Sequence, residues 1–551
     1  MVKWWQKEIV YQIYPKSFQD SNSDGIGDLQ GVISRLDYLK KLGITMLWLS
    51  PIYRSPMADN GYDISDYKMI DPSFGKMDDL KHLLAEAKKR GIKIILDLVV
   101  NHTSDEHPWF QAALADRHSK YRDYYIFKEG KKRPNNWRSI FGGSVWEKIP
   151  NEDTYYYHTF HKKQPDLNWE NPTLRAEIYE MVNWWLDLGI AGFRVDAITF
   201  IKKDLTFKSL PADGVDGLAK CSKASRNRPG IEQFLHELNE RCFIPHDSVT
   251  VAEAPGVSYD QLDEFIGPQG FFSMIFDFQA ADLDVASGSE WFKPLEWTKA
   301  ELFNKLKKSQ LAIQQVGWGA PFIENHDQNR APSKYLRADQ QDKTAVKALG
   351  VMYFFLYGTP FIYQGQELGM INSKREQIED FEDVSSVDQY QRAQAEGLSK
   401  ATALDIINYR SRDNARNPMC WDDSKYQGFS TVEPWLPQAG KVASSVLEQD
   451  DDPTSVLNFY RQMIAFRKQH DVLALGEIEF IGYSEPNVLA YRRYDAQSSF
   501  IILVNLSKEV VELPYKFKIK KVMFENTAVI PTKATLKLPE YAAVVIEEDL
   551  G

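Results

Sequence analysis

Short apolar runs alternate with amphipathic stretches along most of the chain. The runs 10–15, 44–51, 92–102, 189–198, 248–253, 273–278, 320–327 and 359–367 are rich in Val, Ile, Leu and aromatic residues. A continuous apolar run bounded by turn residues reads as a strand covered on both faces. Between them, 36–42, 78–90, 171–188 and 231–241 repeat apolar residues at helical spacing, and Gly91 closes the second of these. Strand, helix and strand in succession mark parallel βαβ units. Eight such strand runs predict an α/β fold, a closed (β/α)8 TIM barrel. An open sheet would call for a Gly-rich phosphate turn after a strand. The nearest approach, Gly25-Ile26-Gly27-Asp28-Leu29-Gln30-Gly31, has the wrong spacing and is given no nucleotide role.

Two segments break the alternation. Residues 102–169, rich in Trp, Tyr and Asn, follow the third strand run and are expected to form an inserted subdomain walling the barrel mouth. Past residue 467 the pattern becomes short alternating runs, 488–493, 500–506 and 541–547, separated by Asn, Ser and Pro. That reads as antiparallel β structure. The expected division is a barrel of 1–101 and 170–471, the insertion, and a C-terminal β-sandwich of 472–551.

Composition narrows the partners. The chain has 551 residues, 43% hydrophobic and 26% charged, with a net charge of −11. Phosphate backbones need clustered Lys and Arg, so nucleic acid is not expected as a partner. Aromatic residues reach 13%, including 14 Trp and 27 Tyr, which offer flat faces with polar tips that suit sugars. Cys221, Cys242 and Cys420 form no C-x-x-C pair, so neither a disulfide framework nor a zinc site is indicated. No signal-peptide-like or membrane-length apolar stretch is seen, and a cytoplasmic chain with no membrane partner is expected. A monomer is favoured.

The candidate chemistry sits at strand ends, where barrel enzymes carry it. Arg194 and Asp196 lie two apart and share a face of the fourth strand. A cation beside a carboxylate favours its ionised form, so Asp196 is expected below the usual range and suited to attack as a nucleophile. Alone, an R-x-D is more often a structural ion pair. Its company changes the reading: the third strand ends in Asn101-His102, the fifth in Glu253 and the seventh in His326-Asp327. Glu253 has no cation next to it and is flanked by Ala252, Ala254 and Pro255, so its pKa is expected to rise, as suits a general acid. Two carboxylates in different surroundings divide the labour of glycosidic cleavage. Asp327 would be a third, gripping sugar hydroxyls beside His102 and His326.

The chain resembles the alpha-amylase family of glycoside hydrolases over nearly its whole length. Asp97-Leu-Val-Val-Asn-His102, Gly192-Phe-Arg-Val-Asp196, Glu253 and Phe322-Ile-Glu-Asn-His-Asp327 match that family's four motifs in order, and Gln164-Pro-Asp-Leu-Asn168 matches a fifth. The resemblance implies a retaining mechanism, with Asp196 as nucleophile, Glu253 as acid/base and Asp327 as stabiliser of the transition state, and no cofactor for catalysis. Within the family the chain looks like the oligo-1,6-glucosidase and dextran glucosidase group, through Asp59-Asn-Gly-Tyr-Asp-Ile64 and Ser411-Arg-Asp-Asn-Ala-Arg-Asn-Pro-Met419. The resemblance implies that Asp59 pairs with an arginine, placed at Arg416, that Tyr62 stacks on the non-reducing glucose, and that the enzyme is an exo-acting α-glucosidase of short oligosaccharides. Ala197 follows the nucleophile position where α-1,6-selective members commonly have valine, and the smaller side chain resembles members that also cut α-1,4 bonds, which leaves the linkage preference open between α-1,6 alone and both.

Asp20-Ser-Asn-Ser-Asp-Gly-Ile-Gly-Asp28 places oxygen ligands at alternate positions, as calcium loops do, though Gly31 stands where an EF-hand would carry Glu. By resemblance, a structural calcium would be held by Asp20, Asn22, Asp24, Asp28 and the Ile26 carbonyl. Alternatives within the family are a trehalose-6-phosphate hydrolase, for which Lys202 and Lys203 could receive the phosphate, and a sucrose isomerase, to which Gln328-Asn-Arg-Ala-Pro-Ser-Lys334 is a poor match. From a different class comes an inactive carbohydrate-binding relative.

Overall fold

The computed structural model describes residues 2–286, 290–437, 440 and 442–550. Seven strands form one parallel sheet: β1 (Val10–Ile13), β2 (Met46–Leu49), β3 (Lys93–Leu98), β4 (Gly192–Val195), β5 (Val249–Ala252), β6 (Met274–Ile275) and β7 (Phe361–Tyr363). Chain neighbours pair in order from β1 to β6, and β7 returns to pair with β1.

The gap between β6 and β7 is closed by residues 319–321. Ala320 N–H donates to the Ile275 carbonyl at 3.0 Å, and on the other side Thr359 and Phe361 N–H donate to Gly319 and Pro321 carbonyls at 3.0 and 2.9 Å. The expected run 320–327 is therefore the eighth member of the ring, but a short one. Pro321 has no N–H to give the ladder, which limits its length.

Alternate strand residues point into the barrel. Val10, Met46, Trp48, Ile95, Val249, Val251, Met274 and Phe361 make one buried cluster there. The opposite residues, such as Tyr11, Leu47, Leu96 and Phe193, pack outward against helices α1 (Leu36–Leu42), α2 (Met77–Lys89) and α3 (Pro172–Asp187). Burial on both faces is why the strands read as unbroken apolar runs. Helix α1 stops where Gly43 takes φ 103, a left-handed turn that glycine adopts without a Cβ clash. Helix α3 starts with Asn171, whose side chain accepts from Thr173 and Leu174 N–H, and Pro172 opens its first turn. Loss of such a cap costs about 1 kcal/mol.

Further helices include α4 (Ile231–Leu238), α5 (Lys299–Val316), α6 (Lys343–Phe354), α7 (Val384–Ala395), α8 (Lys400–Arg410) and α9 (Val456–Gln469). The pair α7 and α8 follows β7 and reaches over the barrel mouth, where Ser385 and Gln389 face the pocket. Within the insertion, Phe127–Glu129, Thr154–Tyr157 and Trp146–Lys148 form a small antiparallel sheet. Its neighbour Trp137–Arg138 pairs with Ala219–Lys220 from the loop after β4. Arg138 locks that contact through Asp213 and Asp216 at 2.9 and 2.7 Å.

From Glu477 onward, five antiparallel strands and a second, three-stranded sheet share a core of Val488, Ile501, Leu503, Leu513, Leu536 and Leu538. The first sheet's other face, through Tyr491 and Ile502, joins the barrel's outer core. Buried Arg493 ties the two parts together by donating to the carbonyls of Phe355, Leu356, Leu473 and Gly476.

Candidate active site

Register sets the floor of the site. Arg194 on β4 stands opposite Asp97 on β3, and both side chains point into the barrel just above its apolar layers. Nη1 of Arg194 donates to Asp97 Oδ1 and Asp196 Oδ1, each at 2.6 Å. Nη2 donates to Glu253 Oε2 at 2.6 Å. One guanidinium thus holds three carboxylates from three adjacent strands. The expectation that Glu253 lacks a cation fails here, because its cation comes from the neighbouring strand rather than its own.

Glu253 Oε2 also accepts from the Ala197 N–H at 2.9 Å. Ala197 has φ 40, in the left-handed region that non-glycine residues rarely enter. That conformation turns its amide toward Glu253. Among the described residues, Glu253 Oε1 and Asp196 Oδ2 have no protein hydrogen-bond partner, and both side chains line the pocket.

Burial pushes Glu253 up to about 7, against the pull of Arg194. Asp196 moves up as well, chiefly through burial, with Asp97 adding repulsion. The sequence-based expectation of a depressed Asp196 is therefore corrected: a single cation shared among three buried carboxylates cannot keep them all ionised. Asp327 goes the other way. Burial alone would raise it, but Arg412, Arg416 and the His326 ring outweigh that and hold it well below the usual range. Burial pushes the His326 ring down to about 3, leaving it neutral near pH 7, so the two arginines carry the effect.

Arg412 bonds Asp59 at 3.1 Å, Asp383 at 2.6 Å and Asp327 at 3.4 Å. The pairing expected between Asp59 and Arg416 falls instead on Arg412. A short helix, Asp413–Arg416, explains the exchange, since residues four apart lie on one face one above the other. Arg412 meets the pocket, whereas Arg416 is fully buried beneath it, bonded to the Asp327 carboxylate at 2.9 Å and to the His326 carbonyl.

Asp59, Tyr62, His102, Asp196, Glu253 and Asp327 line a single pocket of about 290 Å³. That is at the small end of ligand cavities, which run from about 300 to 1,000 Å³. Tyr62 stacks on His326, with ring centroids 5.4 Å apart, and its hydroxyl sits 2.6 Å from His326 Nε2. His102 Nε2 lies 3.0 Å from the Tyr62 carbonyl and 3.2 Å from Gln164, which in turn donates to Asp59 at 3.1 Å. Arg194 and His326 lie below the lining and position it. Phe141, Phe160, Phe200 and Phe278 supply apolar walls. Of these features, Arg412, Asp383 and the phenylalanine walls were not singled out from sequence. Arg412 stands inside the Ser411 to Met419 motif, where the expected pairing falls on Arg416 instead, whereas Asp383 and the phenylalanine walls carry no local motif and come from segments brought together only by the fold.

Lys202 and Lys203 are committed elsewhere. Lys203 is buried in a 2.8 Å pair with Asp166, and Lys202 bonds Glu170 at 2.5 Å.

The Asp20 to Asp28 loop lies apart from these pocket residues. Asp20 accepts from the N–H groups of Asn22, Ser23 and Gly25 and from Ser430 Oγ. Asp28 caps the helix Leu29–Ser34 through Gly31 N–H at 2.7 Å. Asn22 and Asp24 bond each other at the exposed tip. The donor set is all oxygen and suits a hard cation in kind. Among the described residues, no group of three or more His, Cys, Asp or Glu side chains converges as a metal site.

A model of the alpha amylase catalytic domain matches residues 12–476. The chain belongs to the alpha-amylase family of glycoside hydrolases. An oligo-1,6-glucosidase from Parageobacillus thermoglucosidasius is 42% identical over 536 residues, covering 95% of this chain and 94% of the relative. A glucan 1,6-alpha-glucosidase from Streptococcus pneumoniae is 42% identical over 532 residues, with 96% of each chain covered. Among solved structures, the trehalulose synthase MutB from Pseudomonas mesoacidophila superposes with a TM-score of 0.94 at 36% identity, covering 100% of both chains.

Proposed function

We propose that this member of the family is a retaining, exo-acting α-glucosidase that removes glucose from the non-reducing end of short oligosaccharides. Isomalto-oligosaccharides, with α-1,6 bonds, are its main substrates, and α-1,4 bonds are accepted because Ala197 leaves room beside the nucleophile. The observation that carries the reading is the small pocket on which Asp196, Glu253 and Asp327 converge, closed behind by Asp59 and Arg412.

In this mechanism Asp196 attacks the anomeric carbon through its free Oδ2. Glu253 protonates the departing oxygen from Oε1, since Oε2 is already engaged by Arg194 and Ala197. The covalent glucosyl-enzyme is then hydrolysed by a water that Glu253 deprotonates. Three carboxylates around one guanidinium retain a proton near neutrality, and placing it on Glu253 leaves Asp196 ionised. Holding both groups on adjacent nitrogens of one guanidinium favours the short separation that retaining enzymes use. Asp327, kept ionised by Arg412 and Arg416, stabilises the developing positive charge. Asp59 and Arg412 hydrogen-bond the terminal sugar and leave no room beyond it.

Two alternatives lose support. The lysines proposed to receive a phosphate are tied to Asp166 and Glu170. Arg330, in the segment where an isomerase would carry pocket arginines, is fully buried and bonded to Glu324 and to the carbonyls of Gln364 and Ala415. The all-oxygen loop supports calcium held by Asp20, Asn22, Asp24, Asp28 and the Ile26 carbonyl, with a structural part only. Three free, buried cysteines favour a reducing compartment such as the cytoplasm. Among the described residues no helix is long and apolar enough to cross a membrane.

Glucose release from isomaltose, maltose, sucrose, trehalose and trehalose 6-phosphate tests the assignment. Isomaltose should lead the panel, and a strong preference for the phosphorylated disaccharide would reject the reading.

A further inference from the structure

A second cavity, of about 610 Å³, adjoins the pocket, and Arg226, Pro255, Phe278 and Asp282 line both. A ligand leaving the first past these residues enters the second. The shared rim is also on the chemically relevant side. Glu253 must touch the oxygen that departs, so the departing group lies on its side of the pocket, opposite the end closed by Asp59 and Arg412. Pro255 and Gly256 follow Glu253 directly along the chain, and Arg226 rests on that turn: a Cβ on Gly256 would come within 2.6 Å of Arg226 Nε.

Arg226 is exposed at this rim and has no hydrogen-bond or ion-pair partner among the described residues. The other arginines of the site are engaged, Arg194 with Asp196, Arg410 with Asp282 and Arg412 with Asp59. A guanidinium held in place by packing, with its donors free, is suited to hydroxyl acceptors on a ligand. The walls beyond it carry Tyr259, whose hydroxyl bonds Asp277 at 2.8 Å, and the aromatic face of Phe278. Aromatic faces interleaved with polar tips suit sugar rings.

We infer that the second cavity receives the leaving chain, that Arg226 hydrogen-bonds the second sugar of that chain, which a disaccharide lacks, and that the enzyme favours α-glucosyl chains of three or more units over disaccharides. This inference rests on the α-glucosidase reading and adds the substrate's length and the residue that selects it.

The test compares kcat/KM for isomaltose, isomaltotriose and isomaltotetraose in the wild type, Arg226→Ala and Gln279→Trp, with trehalose 6-phosphate alongside. Gln279 is exposed and lines the second cavity alone, so a bulky residue there narrows the channel at a tolerant surface position. In the wild type kcat/KM should rise from the disaccharide to the trisaccharide. Loss of a charge-assisted hydrogen bond should lower the trisaccharide-to-disaccharide ratio about tenfold in Arg226→Ala, mostly through KM, and Gln279→Trp should lower it too. A wild-type ratio near one, or a ratio unmoved in both variants, would overturn the inference while leaving the α-glucosidase reading intact. Preferred hydrolysis of trehalose 6-phosphate that Arg226→Ala abolishes would overturn both, assigning the arginine to a phosphate instead.

Discussion

Asp59 and Arg412 are joined at 3.1 Å across the closed end of the pocket, although 353 positions separate them in the chain. Breaking a buried pair by removing one partner costs roughly 3 to 5 kcal/mol. In either Asp59→Ala or Arg412→Ala, kcat/KM should therefore fall by two to three orders of magnitude, roughly, while circular dichroism shows a folded chain. Arg416→Ala should differ, since Arg416 is buried beneath Asp327. It should lower the melting temperature as well as the activity. A fully active, well-folded Asp59→Ala enzyme would remove the basis for exo action.

The pH profile follows from Glu253. Its carboxyl is pushed up to about 7 by burial, and in the proposed role of general acid it must be protonated to act. Activity should fall as pH rises through about 7. Because the folded pKa lies above the unfolded one, the folded state binds more protons between the ordinary value of 4.5 and about 7, so Glu253 withdraws stability as pH rises across that window. Glu253→Gln should remove the alkaline limb for activated aryl glucosides, which need less acid help, and retain relatively more activity on them than on isomaltose. Equal loss on both substrate types would argue against Glu253 as the acid.

Much of this site was legible in the sequence because barrel chemistry gathers at strand ends, and Asp196, Glu253 and Asp327 each stand one to a few residues past an apolar run. What was not legible depends on distances across the fold. Arg412 and Arg416 stand at the two ends of one short helical turn, and only the placement of that turn decides which reaches Asp59. Asp196 has a cation two residues away, yet its pKa rises because burial outweighs that cation and Asp97, on the same guanidinium, adds repulsion. The closing strand around Ala320 is short because Pro321 and the flanking residues bond sideways to β6 and β7 for only a few positions. Helices α7 and α8 carry polar residues on faces that the pocket and neighbouring loops cover, so periodicity alone did not mark them.

Lys203 should behave as a structural residue. Its pair with Asp166 is buried, and Lys203 also donates to Asn101 at 2.9 Å. Lys203→Ala should cost about 3 to 5 kcal/mol in chemical denaturation without changing the ranking of phosphorylated against unphosphorylated disaccharides. A selective loss on trehalose 6-phosphate would instead return the lysine to the pocket.

Calcium should raise the melting temperature without changing kcat, and chelator should reverse the effect. Asp24 lies at the exposed tip of its loop and caps no helix, so Asp24→Ala should remove the calcium response while leaving the metal-free melting temperature nearly as it was. A wild-type melting temperature indifferent to calcium and chelator would reject the metal.

Retaining hydrolysis from the non-reducing end can be read from proton NMR of isomaltotriose during the first turnovers. α-Glucose should appear first, before mutarotation, together with isomaltose as the other product. β-Glucose as the initial anomer, or isomaltose released as an α-anomer from the non-reducing end, would contradict it.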